Sequence, residues 1–343
     1  MKRLLNTLYV SSAGAYLRKD GETIAVEIEG CVSKRTPAHL LSQIVLFSGT
    51  SASPDLMHFA AQSGISMSWL GYSGKLMARV EGPQTGNVLL RRAQHRATID
   101  SDAALPVARA VVAAKVTNQR AILRRHLRDY PDAPNAEEVE NAQRRLAGAA
   151  RQALKASNLE VLRGQEGEAA HAYWEVFDSL IRTDDPTMRF TGRNRRPPMD
   201  PINALLSFLY ALVAIDARGG CETHGLDPQM GFLHRDRPGR MSLALDIMEE
   251  MRAALADRVA LTLINRRQLR RKDFEKQETG AVLLTEIGRK KVLQAYHDRK
   301  RVNLRHAWLN ERMALGLVPQ VQAQLLARNL RNDINGYPAW IWG

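Results

Sequence analysis

The chemically capable residues of this 343-residue sequence gather in three segments. The first, Arg163-Gly164-Gln165-Glu166-Gly167-Glu168-Ala169-Ala170-His171-Ala172-Tyr173-Trp174, sets an acidic pair among Gly and Ala inside a helical pattern. Small residues there cost helix propensity or packing volume, which makes sense where another chain or a ligand must approach near Glu166. A solvated glutamate beside a helix start is the plainer account of Glu166 alone. The second segment runs from Gly231-Phe232-Leu233-His234 through an Arg-rich turn, Arg235 to Arg240, into Ser242 to Glu250. With about 100° per residue, Ala244, Met248, Met251 and Leu255 share one helix face, while Asp246, Glu249 and Glu250 gather on the other. The spacing predicts a helix that offers its acids outward, and amphipathicity alone reads them as a charged face in water. His234 shifts that reading, because it precedes the helix by a short turn and can fold back over it. One imidazole and two carboxylates suit a divalent ion that keeps open positions. The third segment, Arg195 to Ser207, joins a basic loop to an apolar helix, with Asp200 placed to cap and Pro201 at the first helical position. A rigid loop, a cap and a core helix account for it, and its arginines could equally grip a phosphate backbone.

These segments need elements to position them. Tyr16-Leu17-Arg18 and Thr23-Ile24-Ala25-Val26 flank a Lys19-Asp20-Gly21-Glu22 turn signal, and Ile44 to Phe47, Ile65 to Leu70 and Lys75 to Val80 read as further strands. One short helix sits among them, with Ser53 as N-cap, Pro54 at its first position and Gly64 closing it. From about Val88 apolar residues recur every three or four positions, broken near Pro131, Pro186, Pro197-Pro198 and Pro238. The expected class is α+β: a small, mostly β domain over residues 1–87, followed by a larger, all-helical domain over 88–343. Asp184 to Pro201, rich in Arg and Pro, reads as an ordered loop over the helical part. Asn332 to Gly343 carries two tryptophans without periodicity, a tail that either docks or is disordered.

Composition narrows the partner. Lys and Arg number 49 against 36 Asp and Glu, a formal +13 with pI near 10.0, which points to a polyanion. Most of the cations are arginine, whose planar fork suits bidentate contact with phosphate. Two cysteines, Cys31 and Cys221, allow neither a disulfide framework nor a CxxC site, so the chain reads as cytoplasmic. Met1-Lys2-Arg3 is basic, but polar Asn6 and Thr7 follow and no apolar leader develops. The run Ile202 to Ile215 is interrupted by Asn203 and Ser207 and falls short of the ~20 residues a bilayer crossing needs. It reads as a core helix, with no membrane partner. There is no GxxxxGK[ST] loop, His297-Asp298 reads as a surface pair, and His171, five residues after Glu166, falls on another helix face.

The segments resemble the CRISPR-associated adaptation endonuclease, the integrase subunit that inserts new spacers into a repeat array. Four matches carry the resemblance: GxEGxAAxxYW at Gly164 to Trp174, RRPPxDPxNAxLS at Arg195 to Ser207, GLDPxxGFLH at Gly225 to His234, and SLALDxMEExR at Ser242 to Arg252. It covers essentially the whole chain, most weakly at Val88 to Asn158 and after Asn310. The resemblance implies a metal-dependent, double-stranded DNA endonuclease and integrase of antiviral defence, working by phosphodiester transesterification with Mg²⁺ or Mn²⁺. Glu166, His234 and Glu249 are its implied metal ligands, with Asp246 also at the catalytic site. In some relatives an aspartate stands at the Glu249 position. The family is a homodimer made through its β domains, and it joins a small second adaptation subunit. Arg163, Arg193, Arg195, Arg196, Arg240 and Arg252 are the arginines expected to bind nucleic acid. The rivals are a catalytically silent, basic DNA-binding scaffold and an RNA-directed nuclease. Competent residues at all three ligand positions disfavour the first, and 6% aromatic content without basic–aromatic alternation disfavours the second.

Overall fold

A computed structural model describes residues 4–82 and 87–342. The basic start Met1 to Arg3, Gly343 of the tail, and 83–86 just before the expected boundary lie outside the described residues. In the N-terminal part, strands β1 (Asn6–Val10), β2 (Tyr16–Asp20), β3 (Thr23–Ile28), β4 (Cys31–Pro37), β5 (Leu41–Phe47) and β6 (Ser51–Ala52) lead to helix α1 (Pro54–Gln62). Strands β7 (Ser66–Leu70) and β8 (Leu76–Val80) follow. They form a sheet ordered β1-β5-β7-β8, parallel except for β8, and a second ordered β4-β3-β2-β6. The β2–β3 turn closes where Asp20 pairs with Thr23 and Gly21 takes a φ of 58°. Ser53 Oγ accepts from Leu56 N at 3.1 Å and Pro54 stands at the first position of α1, as the sequence predicts. Polar β4, with Ser33-Lys34-Arg35 largely exposed, gives no such signal and was not foreseen.

Strand β5 is apolar on both faces, so it serves two cores. Ile44 and Leu46 join Leu17, Ile24, Leu56 and Met67 between the sheets and α1. Val45 and Phe47 point the other way, into the helical core, where Phe47 stacks on Phe208 with ring centroids 5.9 Å apart.

The helical part comprises α2 (Val88–Ile99), α3 (Ser101–Asp129), α4 (Ala136–Ala153), α5 (Leu159–Glu175) and α6 (Pro201–Thr223). Next come α7 (Ser242–Met251), a π-type turn (Arg252–Asp257) and α8 (Arg258–Asn265), then α9 (Glu286–Lys300) and α10 (Val318–Leu330). It is mostly helical rather than wholly so, because two hairpins interrupt it: β9 (Phe274–Lys276) with β10 (Val282–Leu284), and β11 (Asn303–His306) with β12 (Glu311–Ala314). Strands of three or four residues leave too short a period to register in sequence. Among the described residues, α6 is the helix long and apolar enough to cross a membrane. Here it packs against α7 and α10, and Leu205, Leu206, Leu209 and Val213 are buried. Asp200 Oδ1 accepts from Asn203 N at 2.8 Å, the expected cap. A buried pair ties the N-terminal strand to the far end of the chain: Lys300 Nζ lies 2.8 Å from Asp216 Oδ2 and 3.5 Å from Thr7 Oγ1, and Tyr296 donates to the same aspartate at 2.8 Å.

Candidate metal and DNA site

Helix α3 packs against both α5 and α7 and brings Lys115, Glu166 and Glu249 together. The acids of α7 do not face water as amphipathicity suggested. Asp246, Glu249 and Glu250 are 1%, 4% and 0% exposed, so each needs its own compensation inside the fold.

Asp246 organises the His234 loop. Its Oδ2 accepts from the backbone N–H of Phe232 at 2.6 Å and of Leu233 at 3.0 Å. Its Oδ1 accepts from His234 N at 3.1 Å and faces His234 Nδ1 at 2.6 Å. A carboxylate at that distance places the proton on Nδ1, which leaves the Nε2 lone pair free as a ligand. Arg163, on α5, clamps the same loop by donating from Nε and Nη2 to Leu233 O at 3.0 and 2.8 Å. Gly231 makes the approach possible, since a Cβ there would sit 2.7 Å from Ser242 Cβ and 2.9 Å from Asp246 Oδ2.

Glu249 lies among cations. Burial pushes its carboxyl up, but Arg252 and Lys115 hold it well below the usual range. Arg252 Nη1 donates to both of its oxygens at 2.8 Å, and Lys115 Nζ lies 3.0 Å from Oε2. The same ammonium pairs with Glu166 Oε1. Arg252, expected to grip DNA, thus turns inward: it lies 4.3 Å from the Tyr210 ring centroid, and Tyr210 donates to buried Asp257 at 2.6 Å. Tyr173 of α5 donates to the same aspartate at 3.0 Å, and burial raises the Asp257 carboxyl. Glu250 faces away, toward the tail. It accepts from Tyr337 Oη at 2.5 Å, Trp340 N at 2.6 Å and Gln322 Nε2 at 2.9 Å, and burial pushes its carboxyl up to about 8. The tail therefore docks, with Trp340 fully buried.

The remaining arginines divide. Arg193 holds the basic loop onto α6 through Asn203 Oδ1 at 2.6 Å and Ser207 Oγ at 3.2 Å, and burial lowers it to about 10. Arg195 and Arg196 stay exposed. Arg240 is lowered by burial and by Arg237, Arg196 and Arg195 against the opposing pull of Asp246, which marks a cationic cluster beside the His234 loop.

Among the described residues, no three His, Cys, Asp or Glu side chains stand close enough to hold an ion as they are. The cation between the two glutamates is the Lys115 ammonium. A position that already gathers two carboxylates around one positive charge, beside an imidazole with a free Nε2, fits a hard divalent ion in its donor chemistry. Sequence reasoning missed Lys115, although a lone charge inside Ala110 to Val116 was a visible signal.

A β-rich front followed by a mostly helical body is the architecture of the CRISPR adaptation fold. The family model described as CRISPR associated protein Cas1 matches residues 8–298, and the chain belongs to that family. The CRISPR-associated endonuclease Cas1 2 of Rhodospirillum rubrum is 53% identical over 346 residues, covering 100% of both chains. A Cas1 protein of Thermotoga maritima shares the fold with a TM-score of 0.79 at 24% identity, over 95% of this chain and 97% of that one. A chain of a Cas6-RT-Cas1–Cas2 complex aligns over 100% of this chain and 36% of its own length, with a TM-score of 0.82 at 21% identity.

Proposed function

We propose that the chain is a metal-dependent double-stranded DNA endonuclease and integrase of CRISPR adaptation, acting in the cytoplasm and inserting spacer DNA by phosphodiester transesterification. The observation that carries this reading is the gathering of Glu166 and Glu249 on one positive charge, next to a His234 ring oriented by Asp246. The R. rubrum relative, named an endonuclease, supports it. Glu166, Glu249 and His234 Nε2 would hold Mg²⁺ or Mn²⁺. That ion supplies charge neutralisation at the attacked phosphate and at the leaving oxygen. Asp246 keeps the imidazole in its ligating tautomer. Arg195, Arg196 and Arg240 bind the DNA backbone, while Arg163, Arg193 and Arg252 hold the site together. The nucleophile is the 3′-hydroxyl of an incoming fragment in integration and water in hydrolysis. A gel assay of short double-stranded DNA with purified protein and Mn²⁺ tests this: cleavage or joining that chelator abolishes is expected, and chelator-insensitive inertness leaves a scaffold.

Arginine placement makes a second, separable expectation. Log affinity for duplex DNA should fall with log salt by about 0.9 per phosphate contacted. Arg195→Ala and Arg196→Ala should weaken binding evenly across sequences and each flatten the slope by about one contact. Arg193→Ala should lower the melting temperature and leave the slope alone. Equal slopes for all three variants would refute the division.

The proposed assembly is a homodimer formed by the N-terminal β part, residues 1–87, which joins a small second adaptation subunit; the fused relative seen with Cas2 supports the latter. Strand β8 is an open sheet edge, and Met77 on it is 64% exposed. Sedimentation should give a dimer for the full chain and a shift toward monomer for Met77→Asp. Ile287→Asp on α9, at a similarly exposed site, should leave the dimer intact. Dimers unaffected by Met77→Asp but lost with Ile287→Asp would place the interface on the helical part.

A further inference from the structure

Lys115 is a buried cation with no polar partner in the described structure other than the two proposed ligands. It projects from α3 with Val111 and Val112 one turn before it and buried Asn118 and Gln119 one turn after it, and its side chain is 5% exposed. Its ammonium touches Glu166, 51 residues away, and Glu249. A buried ammonium is stable only while anions compensate it, and two carboxylates that close together, one of them buried, repel unless a cation lies between them. The three groups are therefore mutually dependent, and a divalent ion held by the same carboxylates would claim the space and the charge that Lys115 supplies.

We propose that Lys115 is an internal counter-cation that holds Glu166 and Glu249 in place before the ion arrives and competes with the ion for them, so that it sets the ion affinity. This rests on the ion reading above and extends it to a residue that is not a ligand. The consequence is a coupling. A buried ammonium displaced from both carboxylates needs another anion, and a DNA phosphate is the one the proposed reaction brings. Ion and DNA should accordingly bind cooperatively, each raising the affinity for the other by the same factor.

The test is Mn²⁺ binding, followed by the electron paramagnetic signal of the free ion, on the full-length protein with and without a short DNA duplex. Lys115→Met removes the charge at similar length. It should bind Mn²⁺ at least about tenfold more tightly than the native chain, because a unit charge a few ångströms from the ion is worth a decade or more even in a polarisable interior. It should also lose the DNA-dependent gain. Its melting temperature in chelator should fall, and Mn²⁺ should restore it. Lys115→Arg keeps the charge and should stay within about threefold of the native affinity. For the native chain itself, the Lys115 ammonium resonance in ¹⁵N-lysine-labelled protein should move on adding Mg²⁺ and not on adding matched NaCl. Equal or weaker Mn²⁺ binding by Lys115→Met, with an unmoved ammonium resonance, would overturn the proposal and leave Lys115 a structural pair. A native chain that binds no Mn²⁺, with Glu166→Gln and Glu249→Gln indistinguishable from it, would overturn the ion reading and this proposal together.

Discussion

Glu166→Gln and His234→Asn are expected to reduce strand cleavage and joining by about a hundredfold to ten-thousandfold, while duplex affinity changes by less than about threefold. The split follows from where each group acts. The proposed ligands would serve charge that develops during reaction, whereas the proposed ground-state binding rests on the exposed arginines. The two variants are cleaner than Glu249→Gln for a reason visible in the site. Glu166 is partly open to solvent, with its side chain 24% exposed, but Glu249 is the buried counter-charge of both Lys115 and Arg252. Removing it strands two cations, a loss of about 3–5 kcal/mol in stability, so its activity loss would mix chemistry with unfolding. Asp246→Ala should fall between, since it frees the imidazole and three backbone N–H groups at once. Kinetics and duplex titration on melting-checked protein decide the matter. A Glu166→Gln enzyme with native turnover would end the assignment.

The tail carries the second large effect. Trp340→Ala should cost about 3–5 kcal/mol, because the indole is fully buried and its loss leaves a cavity. A drop on the order of 10 °C in melting temperature should follow. Glu250 adds a pH dependence whose sign is fixed. Its carboxyl is raised from an ordinary 4.5 to about 8, so the folded chain keeps a proton that the unfolded chain has lost between those values. That contribution is complete below about pH 4.5 and is lost as pH rises through about 8, a swing of a few kcal/mol. Denaturant midpoints at pH 5.5 and 8.5 should show it in the native protein and show much less in Glu250→Gln. A native midpoint that rises with pH while Glu250→Gln is flat would contradict the burial argument.

What the sequence disclosed was what neighbours along the chain decide. The caps at Ser53 and Asp200, the proline that follows each, and the turn at Gly21 are chosen by a few adjacent residues, and the structure has them where expected. The candidate site was legible for another reason: its residues lie in compact motifs that resemble a known family. The environment of those residues was not. Whether α7 shows its acids to water depends on Lys115, Arg252 and a tail 90 residues downstream of Glu250, and no local pattern encodes such distant pairing. The same holds for Arg163, Arg193 and Arg252, which composition counts simply as positive charge but which the fold commits to a carbonyl, an amide and a carboxylate.

The fastening of β1 to α9 bears on how the chain is made. Thr7 and Lys300 are separated by 293 residues, so during synthesis β1 meets this partner only after all of the intervening chain has been made. At about 5–20 residues per second, that is a wait on the order of fifteen seconds to a minute. Through that interval the nascent chain leaves the Lys300 side of β1 uncovered. A chaperone that shields apolar strands during synthesis would find its longest-lived target there.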